Sequence, residues 1–289
     1  MLILQLLASG IQTGVLYGLT AAGFALIFGA TRVFHVAHGA TFVLAGYAFV
    51  LGAQAGLPWP VSCLLALVVA IGFGLFMDAF VYRPIQRHEG AFFTVFVAAF
   101  GASLVVQNLI QFCVGRGSVS VSTPLTRASE ILPGLYVAPV FWIAIGVAVA
   151  LFALVTMFLD RTDAGVALRG LSENPELLRA FGLSSRRLSA LAFGIGSAMT
   201  VPGAILTAAT SGIEPAAGAH VVLISLAAAV VGGIGSLRGA ALAGLLLGIT
   251  ENLIIAVLDT QWSEAAGFLV LFAFILFRPS GLFGQAVRR

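Results

Sequence analysis

Read as hydrophobic and polar positions, the chain is a series of long apolar runs near 6–30, 33–53, 58–82, 92–114, 136–159, 188–210, 220–233, 239–258 and 264–277. The runs lack the alternation over about ten residues that marks strands of a membrane barrel, so they predict helices that cross a bilayer. Two of them are atypical. The run 220–233, HVVLISLAAAVVGG, would reach about 21 Å as a helix against a hydrocarbon core of about 30 Å, so it must tilt, thin the bilayer or re-enter. The run 33–53 opens on the polar, glycine-containing FHVAHGATF, which predicts a broken or re-entrant start buried in protein. The expected fold is all-α and polytopic, with residues 1–289 forming one transmembrane domain of about 8–9 helices.

One stretch breaks the rhythm. Residues 160–188, DRTDAGVALRGLSENPELLRAFGLSSRRL, hold nine charges: Asp160, Arg161, Asp163, Arg169, Glu173, Glu176, Arg179, Arg186 and Arg187. Within it Asn174 suits a helix cap, and Pro175 suits the first helical position, where its missing N–H has no partner to lose. Glu176 favours the positive helix start and Gly182 supplies a left-handed stop, so a short helix is predicted near 175–181. Leu177, Leu178 and Phe181 fall at i, i+1 and i+4, on one face of a helix too short to be stable alone. Either that face rests on the protein's own spans or it docks a partner.

Charge sets the orientation. All fourteen basic residues are arginine. With the N-terminus outside and every run crossing, Arg32, Arg83, Arg87, Arg161, Arg169, Arg179, Arg186, Arg187, Arg238, Arg278, Arg288 and Arg289 lie inside. Only Arg116 and Arg127 lie outside, as the positive-inside rule requires. The loop 160–188 and the C-terminus are then cytoplasmic. The segment 115–135, GRGSVSVSTPLTRASEILPGL, is the longest external loop, a connector or a contact for an extracytoplasmic partner.

Composition agrees: 60% hydrophobic and 9% charged residues, with a mean hydropathy of +1.10, exclude a soluble domain, which carries about 25% charged residues. The 34 glycines fit close helix packing in a membrane. Without lysine there is no GxxxxGK[ST] phosphate loop, so any nucleotide hydrolysis coupled to this chain would belong to another subunit. MLILQLLASG lacks the positive start of a cleaved signal, and the first run is expected to be a retained span. Cys63 and Cys113 lie in apolar runs and read as small buried hydrophobes.

Polar groups inside the runs mark pathways or packing. Glu251, beside Asn252 and after Gly244 and Gly248, either lines a polar path or hydrogen-bonds a neighbouring helix. Gln107, Asn108 and Gln111, at i, i+1 and i+4, share a helix face that could bind a zwitterionic or amide solute or hold helices together. These five are the candidate translocation path. His35 and His38 have the spacing of a metal pair, but no third ligand stands near, and interfacial hydrogen bonding is the expected role. Asp78 and Arg83 sit at a membrane boundary, which suffices to explain them. Arg32 with Gly39-Ala40 faintly echoes Arg238 with Gly239-Ala240, either an internal repeat or small-residue packing. No nucleophile, base and acid set is apparent, and neither enzymatic activity, a metal nor a cofactor bound by this chain is expected.

Four stretches occur in order: GLTAAGFALIFGATRVFHVAHGATFVLAGY at 18–47, LRGLSENPELLRAFGLSSRRLSALAFGIGSAMTVPGAIL at 168–206, VVGGIGSLRGAALAGLLLGITEN at 230–252 and FRPSGLFG at 277–284. With these, over nearly its whole length, the chain resembles the integral-membrane permease subunits of bacterial ABC importers for branched-chain amino acids. The resemblance implies a second related permease subunit, two cytoplasmic ATPase subunits that use ATP, a periplasmic solute-binding protein and an amino-acid substrate. It also implies an inner-membrane location surrounded by lipid, with no nucleic-acid partner. Residues 173–182 match the family's cytoplasmic coupling loop. Glu173, Asn174, Pro175, Glu176, Leu177, Leu178, Arg179, Phe181 and Gly182 are then the ATPase-coupling residues, with Leu177, Leu178 and Phe181 as the docking face and Glu176 and Arg179 at its polar edge. Glu173-Asn174-Pro175 departs from the Glu-Ala-Ala start seen in many ABC importers. The implied mechanism is alternating access. Relatives with the same motifs look like carriers of urea or short amides, and a stand-alone secondary carrier or channel is the alternative of a different class.

Overall fold

The computed structural model describes residues 2–87, 92–121, 124–133, 135–258, 262–278 and 281–283. An apolar helix falls on each run: α1 (Leu2–Thr31), α2 (His38–Gln54), and α3 (Trp59–Phe76), which a π-helical turn at Met77–Tyr82 and α4 (Arg83–Arg87) prolong. Then come α5 (Phe92–Cys113), α6 (Pro139–Arg161), α7 (Asp163–Glu173) and α8 (Pro175–Ala180) in the charged stretch, followed by α9 (Ser185–Thr210), α10 (Ala217–Gly232), α11 (Leu237–Ile254) and α12 (Ser263–Phe277). Six of these, α1, α3 with its continuation, α5, α6, α9 and α11, are long and apolar enough to cross a membrane. The chain is a polytopic membrane protein. Helices α2, α10 and α12 are shorter, at 17, 16 and 15 residues.

The two atypical runs have a common explanation. Helix α1 ends at Thr31, and Arg32 takes a left-handed φ of 57° that turns the chain back along α1. His38, the first residue of α2, places Nε2 3.0 Å from the carbonyl oxygen of Thr20. Thr20 lies eleven residues before the end of α1, a rise of about 16 Å. Helix α2 therefore starts midway along α1, after an extended segment that climbs inside the protein. Helix α10 starts beside it, because Gly39 and Gly218 touch. From that meeting point α10 runs to the end of the bundle that carries Arg32, Arg83 and Arg238, the arginine-rich end, and α2 runs to the far end.

This is an inverted repeat. The connectors 32–37 and 211–216 have six residues each, and 55–58 and 233–236 have four each. Thus α1–α2–α3 and α9–α10–α11 trace the same path in opposite directions, the arrangement of many transporters. Of the two readings of the echo between Gly39-Ala40 and Gly239-Ala240, small-residue packing holds, since a Cβ on Gly39 would meet the Gly218 carbonyl and one on Gly239 the Gly232 carbonyl, each at 2.0 Å; within the repeat the counterpart of Gly39-Ala40 is Gly218-Ala219.

Helix α1 occupies the centre, with Leu19, Phe24 and Ile27 buried. Its Gly14 and Gly18 receive Gly248 and Gly244 of α11: a Cβ on Gly244 would stand 2.4 Å from Gly18 Cα, and one on Gly248 2.3 Å from Gly14 Cα. Lipid supplies no hydrophobic drive between helices, so such backbone proximity is what holds the pair. Helices α3, α5 and α6 point apolar side chains such as Leu64, Phe112 and Leu154 outward. Cys63 is half-buried and Cys113 is exposed on α5, so the reading of both as buried hydrophobes is corrected.

To the all-α membrane fold the chain adds one small hairpin. In the segment 115–135, β1 (Ser129–Leu132) and β2 (Leu135–Val137) pair antiparallel, with Ser129 opposite Val137. Pro133-Gly134 between two short apolar stretches is a turn signal. Gln5 acts as a surrogate strand residue: its Nε2 donates to the Tyr136 carbonyl and its Oε1 accepts the Tyr136 N–H, both at 2.9 Å. Val119 and Ile213 exchange backbone hydrogen bonds of 3.0 and 2.8 Å, which stitches the segment to the α9–α10 connector.

Candidate functional site

The charged stretch folds into two helices where one was expected. Thr162 caps α7, its Oγ1 accepting the Gly165 N–H at 3.1 Å, and Ala167, Leu168 and Leu171 are buried in a cluster with Leu188 and Ala192 of α9. The signal was present in Thr162-Asp163 ahead of apolar positions at three- and four-residue spacing. Helix α8 is capped at both ends. Asn174 Oδ1 accepts the Leu177 N–H at 2.9 Å. Gly182, at φ 77°, lets its N–H reach the Arg179 carbonyl and the Leu183 N–H reach the Leu178 carbonyl, both at 3.0 Å, closing a Schellman motif.

The apolar side chains of α8 do not share one role. Leu178 is buried in the same cluster as Leu168 and Leu171 and lies against Gly170 of α7. Leu177 and Phe181 are 53% and 75% exposed, with Glu176 and Arg179 exposed beside them. The expected three-residue docking face is therefore corrected. Leu178 is turned about 100° from Leu177, toward α7, and serves as the anchor. The outward face is Leu177 and Phe181.

Ionic joints tie this platform to the bundle. Asp78, buried in the π-helical turn, pairs with Arg83 and accepts the Ser189 hydroxyl at 2.6 Å. Arg83 also donates to the Arg186 carbonyl at 2.7 Å. A boundary role understates this pair, because it fastens the end of α3 to the start of α9. In a second, exposed joint, Asp160 pairs with Arg238 and, at 3.4 Å, with Arg169. Between α8 and the bundle lies a cavity of 720 Å³ lined by Arg83, Arg87, Arg179 and Arg186.

A cavity of 480 Å³ opens at the other end, between α1, α9 and α10. Its walls carry Gln12, Thr13, Thr207 and Thr210, and Glu214 stands on the 211–216 connector. Further along α1, Tyr17 Oη and His220 Nε2 are 2.9 Å apart. The floor is Leu16, Thr20, Phe42 and Gly203; a Cβ on Gly203 would lie 3.3 Å from Phe42 Cε2 and 3.4 Å from Thr20 Oγ1. Backbone contacts back this floor. A Cβ on Gly23 would meet the Gly196 carbonyl at 2.5 Å, and one on Gly39 the Gly218 carbonyl at 2.0 Å.

The residues nominated from sequence as a path are not gathered in this cavity. Gln107 lines a separate, mainly apolar cavity of 370 Å³ with Phe34, Phe96 and Leu223. Asn108 is exposed and its Nδ2 donates to the Leu104 carbonyl of its own helix at 2.8 Å; Gln111 is half-buried. Glu251 is buried against α12, where a Cβ on Gly267 would lie 3.3 Å from its Oε1. Asn252 Nδ2 donates to the Gly248 carbonyl at 2.9 Å. Asn108 and Asn252 thus satisfy their own helices' backbone, and Glu251 packs between α11 and α12. Sequence reasoning missed Tyr17, Glu214 and His220, although Ser9, Thr13, Tyr17 and Thr20 recur at helical spacing along one face of α1.

His35 and His38 are buried with ring centroids 5.7 Å apart, but they do not share a helix face, since His35 precedes α2. His35 Nδ1 bonds Tyr82 Oη at 2.7 Å and His38 bonds Thr20. Among the described residues no group of three metal-ligating side chains occurs.

Residues 6–277 match the family model described as the branched-chain amino acid transport system permease component. Two high-affinity branched-chain amino acid transport system permease proteins, BraD of Pseudomonas aeruginosa and LivH of Escherichia coli, are 29% and 28% identical to this chain. Each alignment covers 98% of this chain and 96% of the relative. The autoinducer 2 import system permease protein LsrC of Yersinia enterocolitica is 26% identical, over 86% of this chain and 68% of its own length. The solved structure of PsaBC from Streptococcus pneumoniae in complex with Fab aligns over 93% of this chain and 88% of that chain, with a TM-score of 0.54 at 13% identity, a likeness of fold. The match extends from α1 to the end of α12, and the chain belongs to the family of branched-chain amino acid transport system permease components.

Proposed function

We propose that this chain is the membrane subunit of an ATP-driven importer that carries branched-chain amino acids by alternating access, the solute class named for BraD and LivH. The arginine-rich end faces the cytoplasm of an inner membrane and the N-terminus lies outside, as the positive-inside rule directs. Two ATPase subunits hydrolyse ATP, while a second related permease subunit and a periplasmic binding protein complete the assembly. The observation that carries the reading is α8. It is a six-residue helix, capped at both ends and anchored inward by Leu178, that presents Leu177 and Phe181 on the cytoplasmic side. A groove in an ATPase would cover this face.

The route from that face is short. Gly182–Ser184 lead directly into α9, whose first turns are held by Asp78 and Arg83. The other end of α9 frames the outer cavity through Thr207 and Thr210. Displacement of α8 therefore acts on one continuous helix, interrupted only by Pro202, that reaches both ends of the bundle. The test is reconstitution of the permease with its ATPases, second permease and binding protein in proteoliposomes. ATP-dependent leucine uptake is expected, with urea and acetamide taken up no faster than in ATP-free vesicles. Uptake of the amides instead would reassign the solute, and leucine uptake by the permease alone, without ATP, would make the chain a secondary carrier.

A further inference from the structure

We propose that an anionic phospholipid binds at the arginine-rich end of the bundle, with its phosphate in the cavity between α8 and the bundle and one acyl chain in an apolar groove between α3 and α9. The inference stands apart from the importer reading, since it needs only a bilayer around the chain.

Charge, unmet hydrogen bonds and a chain-length groove carry the assignment. Arg83, Arg87, Arg179 and Arg186 line the cavity of 720 Å³, and no carboxylate joins them among its described lining residues. Asp78 offsets Arg83 from behind, while the other three are exposed, so the field in the cavity favours an anion. Ser185 Oγ and Arg83 Nε, on residues that line the cavity, are buried with no hydrogen-bond partner among the described residues. Buried donors are rarely left so, and phosphate oxygens accept from guanidinium and hydroxyl groups alike.

Beside the cavity, Ile71 and Leu75 of α3 face Ala190, Gly194 and Ala198 of α9 across a groove of 440 Å³ with Arg187 at its foot. From Arg187 to Ala198 the helix rises about 16 Å, half of a hydrocarbon core of about 30 Å and so the depth of one leaflet. The three small residues, four apart, leave room for a chain: a Cβ on Gly194 would find its nearest neighbour, Ile71 Cγ2, at 3.9 Å. Arg186 precedes Ser189 of the cavity by three residues and Ala190 of the groove by four, which sets it where the two meet. A free phosphate would use the cavity and leave the groove unexplained, whereas a basic pocket between helices at a membrane face suits an acidic headgroup.

The test is native mass spectrometry of the purified full-length chain in detergent, titrated with phosphatidylglycerol or with phosphatidylcholine bearing the same chains. Phosphatidylglycerol is expected to half-saturate a site at a concentration about tenfold or more below that of phosphatidylcholine. Arg186→Gln with Arg187→Gln should raise the phosphatidylglycerol value about tenfold or more, and Arg161→Gln, at the same end but outside the site, should leave it unchanged. Gly194→Leu, which fills the groove without meeting backbone, should raise it too, with the melting temperature kept within a few degrees; Ala190→Leu repeats the test one turn away. Glycerol phosphate, which lacks the chains, should not displace the lipid. Equal binding of the two lipids, unchanged binding in the arginine variant or in both groove variants, or displacement by glycerol phosphate at the lipid's own concentration would overturn the site. The importer assembled with its second permease should retain the lipid, and loss of the lipid on assembly would assign the groove to that subunit and overturn the proposal.

Discussion

Gly39 of α2 and Gly218 of α10 touch backbone to backbone where the two half-length helices begin, so that a Cβ on Gly39 would stand 2.0 Å from the Gly218 carbonyl oxygen. The two halves of the inverted repeat meet here, and the contact also backs the floor of the cavity between α1, α9 and α10. Gly39→Ala is expected to destabilise the protein by about 1–3 kcal/mol or more, because backbone must shift to admit the methyl. Gly101, on α5, has open space around its Cα, and Gly101→Ala should be neutral or slightly stabilising. Thermal unfolding in detergent checks both. Equal melting temperatures for the two variants would show that the close approach is not structural.

Removing Arg83 leaves Asp78 buried without its ionic partner, and Arg83→Ala should cost about 3 kcal/mol or more. Asp160 is 45% exposed and its partners Arg169 and Arg238 more so, hence Asp160→Asn should cost under about 1 kcal/mol. Unfolding of the two variants side by side gives the order. A larger loss for Asp160→Asn would mean that the exposed joint, not the buried one, fastens the platform.

Gly182→Ala places a methyl-bearing residue at φ 77° with no atom within 4 Å to oppose it. The cost is conformational, about 1–2 kcal/mol, and local to the end of α8. Asn174→Ala removes the cap at the other end for about 1 kcal/mol. Both variants should keep the melting temperature of the bundle within a few degrees and raise the rate of proteolytic cleavage in 174–184. Unchanged cleavage would mean that the caps do not hold the helix.

How much of this was legible in the sequence depends on how local each cause is. The apolar runs gave the helices, and Asn174, Pro175 and Gly182 marked α8, because caps act within a turn of the residue that makes them. The half-length of α2 and α10 was legible as an anomaly, in FHVAHGATF and in a run too short to span. Its cause was not, since the starting depth is set by the contact of Gly39 with Gly218. Leu178 was misdirected because its orientation is decided by α7, a neighbour the reading had left unfolded. The cavity between α1, α9 and α10 was out of reach for a related reason: Tyr17 and His220 meet only when α1 and α10 pack. Glu251 and the Gln107 patch drew attention by their chemistry alone; the fold sets Glu251 against α12 and Gln107 in a different cavity.

The central claim, that α8 is the seat of a cytoplasmic ATPase, is tested most directly by copurification from native membranes. The account predicts that the wild-type chain retains an ATPase subunit. Leu177→Asp with Phe181→Asp should lose it while inserting at the wild-type level, whereas Leu178→Asp, which buries a charge, should lower the membrane level itself. A wild-type chain that retains no ATPase, or a Leu177→Asp, Phe181→Asp chain that binds it unchanged, would contradict the account.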